Sequence, residues 1–128
     1  MTTKLRYLAV PLIAGLIAGV APSAHAADIA AVRRAADVGA GYLATQVSAQ
    51  GFIAKPASTG GGPDYSGTAY AVLAFAAAQV GYSDAVAATN YLAAHIDAMV
   101  GTGAATDPGS VALLILVAHA MGRDPRNF

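Results

Sequence analysis

Twice in this sequence a stretch of helix formers is apolar on every side. The runs are Ala69-Tyr70-Ala71-Val72-Leu73-Ala74-Phe75-Ala76 and Val111-Ala112-Leu113-Leu114-Ile115-Leu116-Val117-Ala118. A helix with no polar face is stable only when other elements surround it. The flanking sequence is rich in alanine, punctuated by glycine and poor in β-branched runs, which favours helix. Asp64 or Ser66 caps the first run and Gly81 closes it. Asp107-Pro108, a cap followed by proline at the first helical position, opens the second, and Gly122 ends it.

Two amphipathic stretches alternate with these. The first is predicted from Asp28, its cap, to Gln50, with Gly51 as the stop. Ile29, Val32, Ala36, Leu43 and Val47 fall near one face, and Arg33, Arg34 and Asp37 lie on others. The second is capped by Ser83 and runs from Asp84 to Val100, with Val86, Leu92, Ile96 and Met99 mainly on one side. Ala54 to Pro63, carrying Gly60-Gly61-Gly62-Pro63, is a flexible connector, and Gly101 to Ala105 is the next loop.

The alternation is a repeat. Gly41-Tyr42-Leu43-Ala44 matches Asn90-Tyr91-Leu92-Ala93, and Ala69 to Gly81 aligns with Ser110 to Gly122. The fold class is therefore all-α, built of repeated helical hairpins with an outer amphipathic helix and an inner apolar one. A fully buried inner helix needs neighbours on both sides, and two hairpins do not supply them. Asp124-Pro125 repeats the start signal of Asp107-Pro108 just before Phe128. The pattern predicts the N-terminal part of a longer array, or self-association that covers the inner helices.

The N-terminus has a different character. Lys4 and Arg6 precede an apolar run from Tyr7 to Ala21, and Pro22-Ser23-Ala24-His25-Ala26 ends in small residues. That order predicts a cleavable signal peptide over residues 1–26, cut between Ala26 and Ala27, and hence a secreted protein. Pro11 interrupts the run, which is shorter than the ~20 residues a spanning helix needs. Residues 27–128 retain five basic side chains against seven aspartates, a net charge of 5 − 7 = −2. No basic stripe exists to neutralise phosphates, so nucleic acid is excluded as a partner. The chain has no cysteine, so no disulfide framework supports an exported domain of about 100 residues.

Chemistry-bearing residues are sparse. His95 and His119 lie on different helices with no acid pair beside them, and a zinc site needs three or four ligands, so no metal is expected. Gly62 and Gly67 have the spacing of a phosphate loop, but the lysine and the preceding strand are missing. Ser66, Thr68 and Ser110 lack a histidine–acid pair, so no catalytic residue is assigned. Asp64, Tyr65, Thr68 and Tyr70 in one repeat, and Asp107 and Ser110 in the other, cluster where inner helices begin. Helix N-termini attract anionic groups, so these six are the candidate ligand-binding residues. The competing expectation makes Asp64 and Asp107 caps, and Tyr70 and Phe75 core aromatics.

Tyr42-Leu43-x-x-Gln46, Gly51-Phe52-Ile53, the glycine-bearing loop, Thr68 to Phe75 and Gly81 resemble a known superfamily, weakly repeated over Tyr91 to Gly122. It is the α/α-toroid of terpenoid cyclases, protein prenyltransferases and cobalamin carriers. The resemblance is greatest to the secreted prenyltransferase/squalene-oxidase-repeat proteins of Gram-positive bacteria. Gln46 and Gly51 match the family's glutamine–tryptophan motif, while Ile53 stands where tryptophan would sit. The resemblance implies a barrel of inner helices ringed by outer ones, of which residues 27–128 form a part, with a ligand cavity at the inner-helix ends. It does not carry an activity over, because the aspartates are isolated and the cysteine of the family's zinc site is absent. The expectation is an exported, non-catalytic domain that needs no cofactor and binds an apolar small molecule or a cell-surface partner. Its alternatives are a piece of a cyclase-like enzyme and a cell-wall-attached structural protein.

Overall fold

The structure is a computed structural model and describes residues 24–128. The expected signal peptide lies almost wholly outside the described residues. Its cut between Ala26 and Ala27 falls at the start of the first described helix. Five α-helices follow in order: α1 (Ala24–Gln46), α2 (Tyr65–Ala78), α3 (Tyr82–Ala94), α4 (Ile96–Val100) and α5 (Pro108–Ala120). Short 3₁₀ turns occupy Ala57–Thr59, Gly103–Ala105 and Pro125–Asn127. The fold is all-α, and the β-pairing among the described residues is limited to two isolated antiparallel bridges, Val47–Ile53 and Ala54–Pro63.

α1 differs from expectation at both ends. Asp28 lies inside the helix and does not cap it, and the helix stops at Gln46 instead of Gln50. The chain turns back because Ser48 N–H donates to Phe52 C=O (2.9 Å) and Gly51 N–H donates to Ser48 C=O (2.8 Å). Gly51 has φ +86°, and a Cβ there would stand 2.7 Å from the Ala87 carbonyl oxygen. Glycine is therefore what lets this turn press against α3. The connector expected to be flexible is pinned by Lys55 N–H to Gly62 C=O and Asp64 N–H to Ile53 C=O, both 2.8 Å.

α2 is the hub, packing against α1, α3 and α5. Its cap is Asp64, not Ser66: the carboxylate accepts from Gly67 N–H at 2.9 Å. Phe75, Val72, Leu92 and Val117 are fully buried. Burial of each contributes ~1.5–3 kcal/mol, so this small set does most to join the helices.

The second expected amphipathic helix is two helices. It begins at Tyr82 with Gly81 at the cap position instead of Ser83, and it breaks at His95. The cause of the break is local. His95 Nδ1 lies 2.8 Å from the Tyr91 carbonyl, the acceptor its own backbone N–H would use in a continuous helix. A carbonyl only accepts, so Nδ1 carries the proton. The displaced backbone N–H turns to Leu92 C=O at 3.0 Å. Such competition by a polar side chain interrupts helices.

α5 starts and ends as predicted. Gly122 and Arg123 close it in a Schellman arrangement, with Arg123 N–H on Ala118 C=O (2.8 Å) and Gly122 N–H on His119 C=O (3.1 Å). Asp124-Pro125 opens only a 3₁₀ turn. The C-terminal ends of α2 and α5 line one groove, through Ala76 and Gln79 from one and Ala120 and Met121 from the other. The two helices therefore run parallel, with both starts at the opposite end. The expected burial of α5 on all sides does not occur, since Ala112, Ile115, Leu116 and His119 are exposed.

Candidate functional site

Thr68 is completely buried at the start of α2. Its hydroxyl donates to Asp64 C=O (2.6 Å) and accepts from Ile53 N–H (3.0 Å). It thus joins the 47–63 segment to the helix, with donor and acceptor both used. Gly67 sits beside it, where a Cβ would lie 2.5 Å from an Asp64 carboxylate oxygen and would make that carboxylate shift.

The start of α5 is held in a similar way. Asp107 accepts from Gly109 N–H (3.1 Å) with one carboxylate oxygen, and from Ser110 N–H (3.0 Å) and the Ser110 hydroxyl (2.6 Å) with the other. The Ser110 hydroxyl first, then the two backbone N–H groups, hold the Asp107 carboxyl below the usual range. Asp64, Thr68, Asp107 and Ser110 thus act as local fasteners. Among the described residues, no buried side-chain nitrogen or oxygen lacks a hydrogen-bond partner. Nor do any three His, Cys, Asp or Glu side chains among them gather closely enough to hold an ion.

Tyr65 and Tyr70 separate. Five residues apart on a helix, they point about 140° from each other. Tyr65 joins an aromatic cluster with Phe52, Tyr91 and His95 that the sequence reading did not assemble. Tyr91 stacks on His95 at 4.2 Å, meets Phe52 at 4.8 Å, and faces Tyr65 at 6.2 Å. Each such pair contributes ~0.5–1.5 kcal/mol beyond its buried area. The cluster ties the turn after α1, the start of α2 and the end of α3 together. Burial, then the neighbouring Tyr65 phenol, push the Tyr91 hydroxyl up. The available signal was the four-residue spacing of Tyr91 and His95, which places them on one helix face. The rings face each other, and Phe52, Tyr65, Tyr91 and His95 are each half-buried in the cluster.

Tyr70, expected in the core, is 62% exposed. On α2 it shares a face with Leu73, Ala74 and Ala77, of which Ala77 is also exposed and the other two are half-buried. On α5 the open face carries Ala112, Ile115 (41% exposed) and Leu116 (56%). The grooves between the helices are open to solvent. One of about 250 Å³ lies between α4, α5 and the C-terminal turn, one of about 300 Å³ lies between the ends of α2 and α5, and a larger one of about 510 Å³ lies between α1 and α2. The last is lined by Ala36, Ala40, Leu43, Ala74 and Ala78 and falls within the ~300–1,000 Å³ typical of small-molecule sites. The molecule offers open apolar helix faces, with Asp64, Asp107 and Ser110 engaged in helix caps. No helix among the described residues is long and apolar enough to cross a membrane. Neither a family model, nor a curated protein, nor a solved structure matches this chain.

Proposed function

We propose that this chain is an exported, non-catalytic helical-repeat domain that binds an apolar partner through the open faces of its parallel helices α2 and α5. The observation that carries this is the exposure of Tyr70, Ile115 and Leu116 on two helices whose remaining faces form the core. Ile115 and Leu116 adjoin on one helix face, and adjoining exposed apolar side chains mark interaction surfaces more than isolated ones do. The engagement of Asp64, Thr68, Asp107 and Ser110 in caps supports binding over catalysis. Export is supported by the n-region, apolar run and small-residue cut at Ala26-Ala27. The resemblance to toroid proteins supports the same assignment, since a toroid lines its cavity with inner helices.

The test is binding of a fluorescent apolar probe to purified chain. Leu116→Glu should reduce the binding at least several-fold while leaving the helical circular dichroism unchanged. Turnover of a prenyl diphosphate by the purified chain, or probe binding unaffected by Leu116→Glu and Tyr70→Glu together, would refute the proposal. Export is checked separately by sequencing the N-terminus of the secreted product, which should begin at Ala27.

A further inference from the structure

We infer that Tyr65 and Tyr91 form a modification site, which a peroxide-driven one-electron oxidant couples into a dityrosine that staples the start of α2 to the end of α3. The inference stands on the aromatic cluster and is independent of the open faces of α2 and α5. The two rings lie 6.2 Å apart between centroids, within the ~4.5–7 Å range of direct ring contact, and 19° from parallel. Phe52 at 4.8 Å and His95 at 4.2 Å hold the Tyr91 ring in place. Tyr65 is the first residue of α2, and α2 packs against α3, so two helices set the pair. Both tyrosines are half-buried, which leaves part of each ring open to a small oxidant. Their hydroxyl ends also meet: burial, then the Tyr65 phenol, push the Tyr91 hydroxyl up. That is the end that couples, because a phenoxyl radical carries its unpaired electron on the oxygen and on the Cε carbons beside it.

The chemistry balances without any group from the protein. Each phenol gives up one electron and one proton to become a phenoxyl radical. The radicals join through a Cε–Cε bond, and both oxygens regain a proton as the rings return to phenols. One hydrogen peroxide is reduced to two waters, and the chain loses two hydrogen atoms. The new bond ties residue 65 to residue 91 and restricts the unfolded chain as a disulfide does. The chain has no cysteine, so no thiol intercepts the oxidant and no disulfide supplies such a staple. Tyr42, Tyr70 and Tyr82 are 64%, 62% and 78% exposed, and among the described residues none of them meets another aromatic ring. Their radicals find partners on other chains, so dilution suppresses their coupling and leaves that of Tyr65 with Tyr91.

The test treats the full chain in dilute solution with a haem peroxidase and limiting hydrogen peroxide, and recovers the monomer. Cleavage before aspartates puts Tyr65 on residues 64–83 and Tyr91 on residues 84–96. The expected product is these two peptides joined, two hydrogens lighter than their sum, with dityrosine fluorescence. Tyr70 and Tyr82 share the first peptide, so variants identify the partner. Joining should fall at least several-fold in Tyr65→Phe and in Tyr91→Phe, which keep the rings, and should persist in Tyr70→Phe and Tyr82→Phe. The crosslinked monomer should unfold at a higher temperature than untreated chain. Treated monomer without joined peptides, joining that survives Tyr65→Phe, or an unchanged thermal midpoint would overturn the inference.

Discussion

α2 and α5 are almost the same helix in chemical terms. Each is capped by an aspartate, neither contains an Asp, Glu, Lys or Arg, and they span 14 and 13 residues. Yet α2 buries Thr68, Ala69, Ala71, Val72 and Phe75, while α5 buries only Leu114, Val117 and Ala118. The difference lies in their neighbours. α2 is held by α1, α3 and α5, whereas α5 meets α2, the α3–α4 arm and the C-terminal turn, leaving one side open. All-round apolarity therefore records how much burial a helix needs. It does not record how much its own chain provides.

The largest expected contrast comes from truncating one side chain on each helix. Phe75→Ala removes a fully buried ring between Ala40, Ala71 and Ala85, and should cost ~3–5 kcal/mol in denaturant unfolding. Leu116→Ala should stay within ~0.5 kcal/mol at low protein concentration, as expected for an exposed position. Comparable losses would mean that the α5 face is covered in solution, and the contrast drawn here would fail.

A second contrast is between the two helix starts. Thr68→Val keeps the shape but leaves the Ile53 N–H without its acceptor, at a cost of ~1–3 kcal/mol. Ser110→Ala removes a hydroxyl that bonds only its neighbouring cap, and should cost no more than ~0.5 kcal/mol. Equal midpoints for the two variants would show that Thr68 does not fasten the 47–63 segment.

Much of this fold is legible in the residues because its punctuation is local. Asp107-Pro108 and Gly122 bound α5 as read, since capping and left-handed closure depend on a few adjacent groups. The hairpin order and the all-α class follow from periodicity for the same reason. What escaped depends on distant or competing contacts. The break at His95 arises because a side-chain nitrogen takes a carbonyl that a continuous helix assigns to the backbone. The early end of α1 depends on Gly51 meeting Ala87, 36 positions away in the chain. Tyr42 and Tyr91 occupy matching repeat positions, but one is 64% exposed and the other stacks on His95. Of the six candidate site residues, four proved to be fasteners, because capping uses the same groups and the same helix ends as ligand binding. The alignment of Ala69 with Ser110 also gives way to a register two residues longer when counted from the caps.

The helix ends differ as well, which yields a smaller, stabilising effect. Gln79 adopts the left-handed conformation after α2 (φ 58°), where α5 has Gly122 (φ 67°). The Gln79 backbone N–H still bonds Phe75 C=O, so the strain is confined to its own Cβ. Gln79→Gly should stabilise the domain by ~0.5–1 kcal/mol, read as a rise in the thermal midpoint. A fall would show that the Gln79 side chain contributes contacts outweighing that strain.

The smallest effect is a pH dependence at the cap of α5. Asp107 is held below the usual carboxylate range in the folded state by Ser110 and Gly109, so folding favours its ionised form. The contribution to stability is then present above the unfolded aspartate value of ~3.9 and declines as pH falls through the lower folded value. Below both values none of it remains. Asp107→Asn keeps an acceptor oxygen for the cap but cannot titrate. Unfolding midpoints measured from pH 6 down to pH 2.5 should therefore fall more steeply for the wild type than for Asp107→Asn. The two should run parallel above about pH 5, where Asp107 is ionised in both states. Parallel curves over the whole range would mean that the Ser110 and Gly109 bonds do not favour the carboxylate, and that the cap of α5 holds equally well with a neutral acceptor.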